Sequence, residues 1–399
     1  MFEIVLVIYT LYVLMKIYIS IAEVNFVKLA KKRAPIILSS ENYAVAADYK
    51  IESLKISIVE SLYELLLFFG WVSFGFKALS GVIGFENQTL EAIVFVLSFV
   101  SINYILGLPF EIYKVFNLDK RYGFSTIDVK TYLIDQAKGA VMFFLFGSLV
   151  IWLLVWIMGS FENWWIYGFL AVFVIILFIN MIYPTLIAPI FNKFTILEDS
   201  ELKEAIENLL KKAGLKSSGV FTIDASKRDK RLNAYFGGLG KSKRVVLYDT
   251  LVKKLTKDEL LAVLGHELGH FKHKDIVKNI FSSGLMMFVM FYLFGNLPTS
   301  LFEGIGVEKS PQMVLILFLL LSPVVSFIMM PIFGLLSRHN EFKADEYGAD
   351  VGGKKNLANA LIKLVDENKS FPLSHKLTVI FYHTHPSVVE RLKKLGVDV

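Results

Sequence analysis

Seven long apolar stretches limit the folds open to this sequence. Five contain no charged residue and approach or exceed the about 20 residues that cross a bilayer as a helix; they are residues 92–110, 139–161, 163–192, 279–302 and 310–337. Two more are predicted at about residues 4–23, which include Lys16, and 56–78, which include Glu60 and Glu64. A hydrophobic content of 55% and a mean hydropathy of +0.56 agree with this. We therefore predict a mainly α, polytopic membrane protein with seven transmembrane helices.

The basic residues of the connecting loops predict the orientation of these helices. No Lys or Arg precedes Lys16, so the first stretch lacks the basic start of a cleaved signal peptide and is expected to be retained. Lysines and arginines cluster in the loops after the first and third stretches, and the alternate loops carry almost none. Because basic loops stay in the cytoplasm, the N-terminus is predicted outside and the C-terminus inside.

This topology divides the chain into four parts. Residues 1–192 hold helices 1–5 and their loops, 193–278 a cytoplasmic α+β domain, 279–337 helices 6 and 7, and 338–399 a cytoplasmic tail. The net charge of +6 is explained by the basic loops and by anionic lipid at the inner leaflet, so membrane lipid is an expected partner and nucleic acid is not. The absence of cysteine excludes thiolate ligands, catalytic thiols and disulfides.

The segment His266-Glu267-Leu268-Gly269-His270 carries the chemistry. Two histidines four residues apart share one helix face and can bind one zinc ion. Glu267 lies about 100° around the helix from His266, so it is free to take a proton from water as the general base. Thr256 and Glu259 have the spacing of a capping box, which predicts that this helix begins at Lys257. Gly265 and Gly269 weaken it, and they leave room for another backbone to approach.

The segment before this helix predicts the rest of a small domain. Residues 199–213 have helical periodicity and end at Gly214. Residues 221–223 and 244–248 are β-branched and aromatic runs that predict strands, and Asn233 begins a third run that ends in glycines. A strand beside the metal helix could pair with an extended peptide, or it could belong to an ordinary hairpin; the residues leave both open.

A catalytic zinc site needs a third protein ligand. His273 lies roughly 10 Å along the helix from His266, too far to share the ion, and the metzincin extension is absent because Ile276 occupies the place of its third histidine. Glu341 and Asp345, four residues apart after the last span, share one helix face. One can bind the metal while the other orients a ligand histidine, and their spacing does not say which.

Glu60 and Glu64 lie four residues apart within a predicted span, so they share a helix face that is not expected to meet lipid. They indicate either a wet interior or a position at the cytoplasmic end of the helix.

Several segments in a fixed order resemble one family. HELGH is joined by Asn233 to Gly237, Arg244 to Leu251, Arg338 to Asp345 and Thr384 to Arg391, with Tyr122 to Phe124 and Ile187 to Lys193 earlier in the chain. Together they resemble the type I CAAX prenyl endopeptidases, integral-membrane zinc proteases of the gluzincin type, over nearly the whole chain.

The resemblance implies specific roles for residues of this chain. One zinc ion per chain is held by His266, His270 and Glu341, with Asp345 contacting a ligand and Asn233 and Arg391 close to the ligands or substrate. His385 polarises the scissile carbonyl or stabilises its oxyanion, unless it is a surface histidine before Pro386. The helices enclose a water-filled chamber that the zinc faces. Residues 226–232 depart from the serine-rich run of the family, which leaves open whether this loop contacts substrate.

We therefore predict a zinc-dependent endopeptidase acting at the cytoplasmic membrane face on a peptide or protein substrate. The family expectation is removal of the C-terminal tripeptide from prenylated CAAX proteins, although the sequence does not show that the substrate must be prenylated. Two alternatives are a quality-control protease of the heat-shock type, whose members are shorter with fewer spans, and a non-catalytic scaffold or transporter with a vestigial zinc site. The excess of lysine over arginine favours a bacterial or archaeal inner membrane.

Overall fold

Five long helices form the N-terminal half of the protein. The computed structural model describes residues 1–215, 218–238 and 243–399. The five helices are α1 (Phe2–Ala30), α2 (Ser40–Val82), α3 (Gln88–Arg121), α4 (Val129–Ser160) and α5 (Trp164–Phe191). Each contains a window apolar enough to cross a membrane, and their packed interior is rich in aromatic side chains such as Phe68, Phe76 and Phe95.

A small α+β unit follows the fifth helix. Its elements are β1 (Phe194–Ile196), α6 (Ser200–Lys212), β2 (Val220–Ile223), β3 (Ala234–Gly237), β4 (Arg244–Tyr248), α7 (Asp249–Lys254) and α8 (Lys257–Lys272). The sheet order is β1-β2-β4-β3, with β2 and β4 parallel and the two outer pairs antiparallel. Three predicted strands and both predicted helices are present, and β1 is a strand that the sequence did not reveal. The apolar face of the sheet packs with α6 and α8 around Ile206, Val245 and Leu264.

The C-terminal part returns to the membrane and then closes over the α+β unit. Its helices are α9 (Asp275–Gly295), α10 (Thr299–Ile305), α11 (Pro311–Gly352), α12 (Lys354–Glu367), α13 (Lys376–Tyr382) and α14 (Val388–Lys394). Two of them, α9 and α11, bring the membrane-spanning candidates among the described residues to the predicted seven. At 1.5 Å per residue, the 42 residues of α11 extend about 63 Å, twice the hydrocarbon thickness of a bilayer. Its end therefore projects beyond the membrane and packs against α8.

Glycines set the close approach of α8 and α11. A Cβ added to Gly269 would lie 2.7 Å from Ala344 Cα, and one added to Gly265 would lie 3.2 Å from Gly348 Cα. Contacts this short leave no room for a side chain between the two backbones. The room that the sequence predicted beside these two glycines is filled by α11, the helix that carries Glu341 and Asp345.

The loop of residues 226–232 ties the α+β unit to the membrane helices. Arg228 donates to both carboxylate oxygens of Asp135 in α4, at 2.7 and 3.0 Å. Arg231 donates to the Tyr49 hydroxyl in α2 at 2.8 Å and lies 3.1 Å from Asp119 in α3. Both arginines in this loop are thus engaged by side chains of the membrane helices, which gives the loop a docking role.

The two glutamates of the second span differ in their surroundings. Glu64 in α2 pairs with Lys16 in α1 at 2.8 Å. Lys16 is near the middle of α1, so this ion pair lies within the helical bundle and not at a helix end. Glu60, on the same helix, is half-buried and makes no ion pair or side-chain hydrogen bond with any described residue. Of the two interpretations that the sequence left open, the geometry favours a polar interior for Glu64.

Candidate metal centre

The helix that carries HELGH begins as predicted. The Thr256 hydroxyl accepts from the Glu259 amide, and the Glu259 carboxylate accepts from the Thr256 amide, so the capping box is complete. Lys363 from α12 contacts the same carboxylate at 2.7 Å. This local start fixes the phase of the helix, because it decides which residues face the sheet and which face α11. His266 and His270 emerge on the side that meets α11.

Three side chains converge with metal-binding geometry. The Nε2 atoms of His266 and His270 lie 3.6 and 3.2 Å from the two carboxylate oxygens of Glu341, and one ligand atom from each residue lies within 4.8 Å of the others. Atoms bound to one tetrahedral ion at about 2.0–2.2 Å lie about 3.3–3.6 Å apart. The cluster is thus of the size that a single metal ion requires.

The second ring nitrogen of each histidine faces a carboxylate. His266 Nδ1 lies 2.9 Å from Asp345 Oδ1, and His270 Nδ1 lies 3.0 Å from Asp275 Oδ2. A proton held on Nδ1 by a carboxylate leaves the Nε2 lone pair available. Both Nε2 atoms face Glu341, so the two rings are oriented as metal ligands.

The environment of one Glu341 oxygen shows whether the cluster fits a metal ion. Glu341 is 3% exposed, and its Oε2 accepts no hydrogen bond from any described residue. The Nδ1 of His385 is 2.9 Å away but does not donate to it in this arrangement. A buried carboxylate oxygen without a donor is costly unless a cation compensates it. Two imidazoles and a carboxylate match the donor set of catalytic zinc sites, so these residues fit the metal.

A buried arginine holds the remaining carboxylate. Arg391 in α14 donates to both oxygens of Asp345 at 2.8 and 2.6 Å, and its Nη1 lies 3.8 Å from Glu341 Oε2. Burial alone would lower the pKa of Arg391, but the two carboxylates raise it, so it stays charged. It thereby locks Asp345 against His266 and ties the C-terminal tail to α11.

The neighbours of His270 shift its pKa. Burial lowers its pKa, but hydrogen bonds with Glu341 and Asp275 outweigh this and raise the pKa to about 9. A proton therefore competes with the metal for this ring.

A cavity of about 460 Å³ opens onto the cluster. Glu267 and His385 line it together with the three clustered side chains. Glu267 makes no ion pair with another described residue, so its carboxylate is free to act on water or substrate. His385 arrives from the C-terminal tail and is 63% exposed, in contact with Glu341.

The edge strand β3 forms another wall of this cavity. Phe236, Gly237 and Gly238 line it, and among the described residues β3 pairs only with β4. Asn233 lies at the start of this strand, where its side-chain oxygen accepts from the Ala234 amide. The structure therefore brings the strand to the metal cavity but does not bring the Asn233 side chain there.

Sequence reasoning missed Asp275. This residue begins α9 immediately after Lys274, whose positive φ of 57° turns the chain back towards α8. The turn aims its carboxylate at His270, five residues earlier, and Lys278 fixes the other oxygen at 2.7 Å. The sequence signal that could have revealed it is an acidic residue at the start of a membrane span, five residues after the second histidine.

The close packing at Gly269 gives a first testable prediction. Gly269→Ala should force α8 and α11 apart, destabilise the protein by about 1–3 kcal/mol and lower metal content, because His270 and Glu341 sit on the two separated helices. Thermal melting and metal analysis of the purified variant measure both effects. Gly139→Ala in α4 is the matched control, since its Cβ would meet nothing within 4 Å. Full metal content in the Gly269 variant would contradict the expectation.

Comparisons with known proteins agree over nearly the whole chain. Residues 197–397 match the model of peptidase family M48, and residues 25–193 match the model described as CAAX prenyl protease N-terminal, five membrane helices. The CAAX prenyl protease 1 of Saccharomyces cerevisiae is 32% identical over 93% of this chain and 90% of its own length. The Homo sapiens homolog is 32% identical over 90% of this chain and 87% of its own. The crystal structure of S. mikatae Ste24p has a TM-score of 0.91 and 29% identity, covering 98% of both chains.

Proposed function

The chain belongs to peptidase family M48 and is a membrane metalloendopeptidase, and from this premise we propose that it uses zinc to remove C-terminal tripeptides from CAAX proteins. The observation that carries the proposal is the convergence of His266, His270 and Glu341 in a cavity that also holds Glu267 and His385. Neither alternative, a heat-shock-type protease or a non-catalytic scaffold, has a specific observation in its favour.

The choice of zinc rests on the donor set. Two imidazole nitrogens and one carboxylate leave a fourth position open, as in catalytic zinc sites. Zinc bound there would supply a Lewis acid that polarises the scissile carbonyl. Asp345 and Asp275 hold the ligand rings in their binding tautomer, and Arg391 holds Asp345.

Glu267 is proposed as the general base. It shares the cavity with the proposed ligands and makes no ion pair or side-chain hydrogen bond with a described residue. From this position its carboxylate takes a proton from the attacking water and then passes a proton to the leaving amine.

His385 is proposed as the donor to the developing oxyanion. The tail residues that precede it hold it over the cavity, and its ring lies at the open side of Glu341. A donor placed where negative charge develops stabilises the transition state more than the ground state.

His385→Ala should lower kcat by about 10²-fold or more while metal stays bound, because one oxyanion donor is lost and the three ligands remain. Kinetics and metal analysis on one preparation test this. Loss of activity together with metal would instead make His385 a ligand or a support of Glu341. Unchanged activity would mean that His385 is only a surface histidine before Pro386.

The substrate peptide is proposed to pair with β3. Its edge away from β4 pairs with no described strand and runs along the metal cavity, and the glycines at its end keep side chains out of the way of a second backbone. An added strand would present its carbonyl groups to the cavity in a fixed register.

The decisive experiment compares two peptides that end in cysteine, two aliphatic residues and a variable residue, one prenylated and one not. Cleavage between the cysteine and the first aliphatic residue, identified by mass spectrometry, supports the CAAX assignment. Equal cleavage of both peptides would keep that assignment without a need for the lipid. Cleavage of neither peptide, with unfolded membrane proteins degraded instead, would overturn it.

The orientation is also proposed, with the N-terminus outside and the metal cavity on the cytoplasmic side, on the basis of the basic loops. A chamber enclosed by the helices is part of this proposal and is supported by the Lys16–Glu64 pair inside the bundle. The relatives named above come from eukaryotes, so the sequence-based preference for a bacterial or archaeal membrane has no support.

Cysteine labelling tests the orientation without background, because the chain has no cysteine. A cysteine at Gly84, where a side chain meets nothing within 4 Å, should react with a hydrophilic probe from outside intact cells. Cysteines at Lys130 and Lys254 should react only after permeabilisation. Outside labelling at Lys254 would place the metal cavity on the opposite face.

A further inference from the structure

A second cavity, of about 660 Å³, adjoins the metal cavity. Thr384 and His385 line both, so the two spaces meet at the residue proposed to contact the oxyanion. This second cavity lies between the membrane helices and the tail segment 382–388. Apart from His385, none of its lining residues has a role in the proposed mechanism.

The second cavity is strongly basic. Lys50, Lys114, Arg231 and Lys369 line it, and no aspartate or glutamate is among the described residues that do. Burial and the nearby charge of Lys50 lower the pKa of His383, which lies on the same wall. Several cations lining one concave site attract an anion.

The four cations differ in how far they are already engaged. Arg231 is held by Asp119 and Asp229, and Lys369 donates to the Tyr122 carbonyl, so these two form a fixed wall. Lys50 is 30% exposed and lies 3.6 Å from the buried Glu23.

Lys114 is exposed and makes no ion pair or hydrogen bond through its side chain with any described residue. It is therefore the cation most available to a ligand.

Part of the remaining lining is apolar. Val365, Phe371, Pro372, Pro386 and Val388 supply it. A ligand that fits must therefore combine aliphatic groups with a terminal negative charge.

We propose that this second cavity binds the C-terminal carboxylate of the peptide substrate, with Lys114 and Lys50 as its recognition residues. The inference rests on the proposed function and deepens it. In a CAAX substrate three residues follow the scissile bond, so in an extended chain the carboxylate lies about 10 Å beyond the reacting carbonyl. A basic cavity next to the metal cavity receives that charge, and its apolar wall receives the two aliphatic side chains. The same contacts measure the length of the tripeptide that is removed.

An anionic lipid headgroup is the competing occupant. The shared residues Thr384 and His385 favour the peptide, because a chain that passes the metal enters this cavity next. The experiment separates the two by the lipid composition of the vesicles.

The test uses the full chain in vesicles of neutral phosphatidylcholine and a prenylated CAAX peptide as its free acid and as its C-terminal amide. The native protein should cleave the acid with a kcat/KM about tenfold above that of the amide, the value of one charge-assisted hydrogen bond. Lys114→Gln should lose that preference by slowing only the acid. Lys120→Gln removes an exposed lysine six residues away, outside the cavity, and should retain the preference.

A binding measurement makes the result independent of turnover. The tripeptide acid should bind the Glu267→Gln variant about tenfold tighter than its amide, and Lys114→Gln should remove the difference. Lys50→Gln serves as a second variant in both assays, and if it fails to fold because Glu23 loses its partner, Lys114→Gln decides alone.

Each other outcome overturns one proposal and identifies which. Equal cleavage of acid and amide by the native protein overturns the carboxylate site and leaves the CAAX assignment intact. Cleavage of neither peptide overturns the CAAX assignment, and equal binding of the two tripeptides then also overturns the carboxylate site. In a third outcome, Lys114→Gln lowers kcat/KM equally for both peptides, and only in vesicles that contain anionic phosphatidylglycerol. That result assigns the cavity to a lipid headgroup and overturns the inference.

Discussion

Glu267→Gln should leave the metal bound and lower the rate of peptide hydrolysis by about 10²–10⁴-fold, the usual value of a positioned general base. The amide has the size of the carboxylate but does not accept a proton at neutral pH. Glu267 lines the cavity but is not one of the three residues that form the proposed metal cluster. Its replacement should therefore leave the cluster in place. Single-turnover cleavage and metal content of the same preparation measure the two halves of the expectation.

Asp258→Asn provides the matched control for this experiment. Asp258 lies on the same helix, is exposed and is not among the residues that line the metal cavity. Asp258→Asn removes the same single negative charge from α8 as Glu267→Gln does, but away from the metal cavity. The Asp258 variant should therefore retain full activity. Normal cleavage by the Glu267 variant would remove Glu267 from its proposed role as base.

Glu341→Ala should lower metal occupancy more than replacement of either carboxylate that orients the histidines. It removes a proposed ligand atom, whereas Asp275→Ala removes only a contact to His270, a change typically worth about 10–100-fold in metal affinity. Activity should fall with occupancy in both variants. Metal analysis after dialysis against graded chelator concentrations ranks them.

Asp345→Ala is expected to weaken metal binding like Asp275→Ala and to reduce stability as well. It leaves the buried guanidinium of Arg391 without its bidentate partner, and an unpaired buried charge costs about 3–5 kcal/mol. Asp275 is partnered by an exposed lysine, so its loss has no such cost. A lower melting temperature in the Asp345 variant alone separates the two. Lower occupancy in Asp345→Ala than in Glu341→Ala would exchange the roles of these residues.

The outline of the membrane part was predictable because its signal is local. Each span is longer than the bilayer is thick and apolar throughout, so composition alone locates it. Residues 311–337 and the segment after them nevertheless form one helix, α11, that ends at Gly352. A hydropathy pattern marks where a helix leaves the membrane and does not mark where the helix stops.

The α+β unit shows the same limit. The capping residues Thr256 and Glu259 predicted the start of α8 correctly, because a cap involves only neighbouring residues. The strand β1 has three residues and exists only through its pairing with β2. Three residues are too few to show a period, so tertiary pairing decides whether they form a strand.

By itself the sequence determined that this chain crosses the membrane with seven helices and that His266, Glu267 and His270 share one helix turn, because spacing within a helix follows from backbone geometry. It placed Glu341 and Asp345 on one face without dividing their roles. Their roles depend on the close packing of α11 against Gly265 and Gly269. This packing places Glu341 beside the Nε2 atoms of both histidines and Asp345 beside the Nδ1 atom of His266. Asp275, Arg391 and the basic cavity beside His385 likewise arise from segments far apart in the sequence or from a chain reversal. Only the packed structure brings such groups together, since their distances depend on every contact between the helices that carry them.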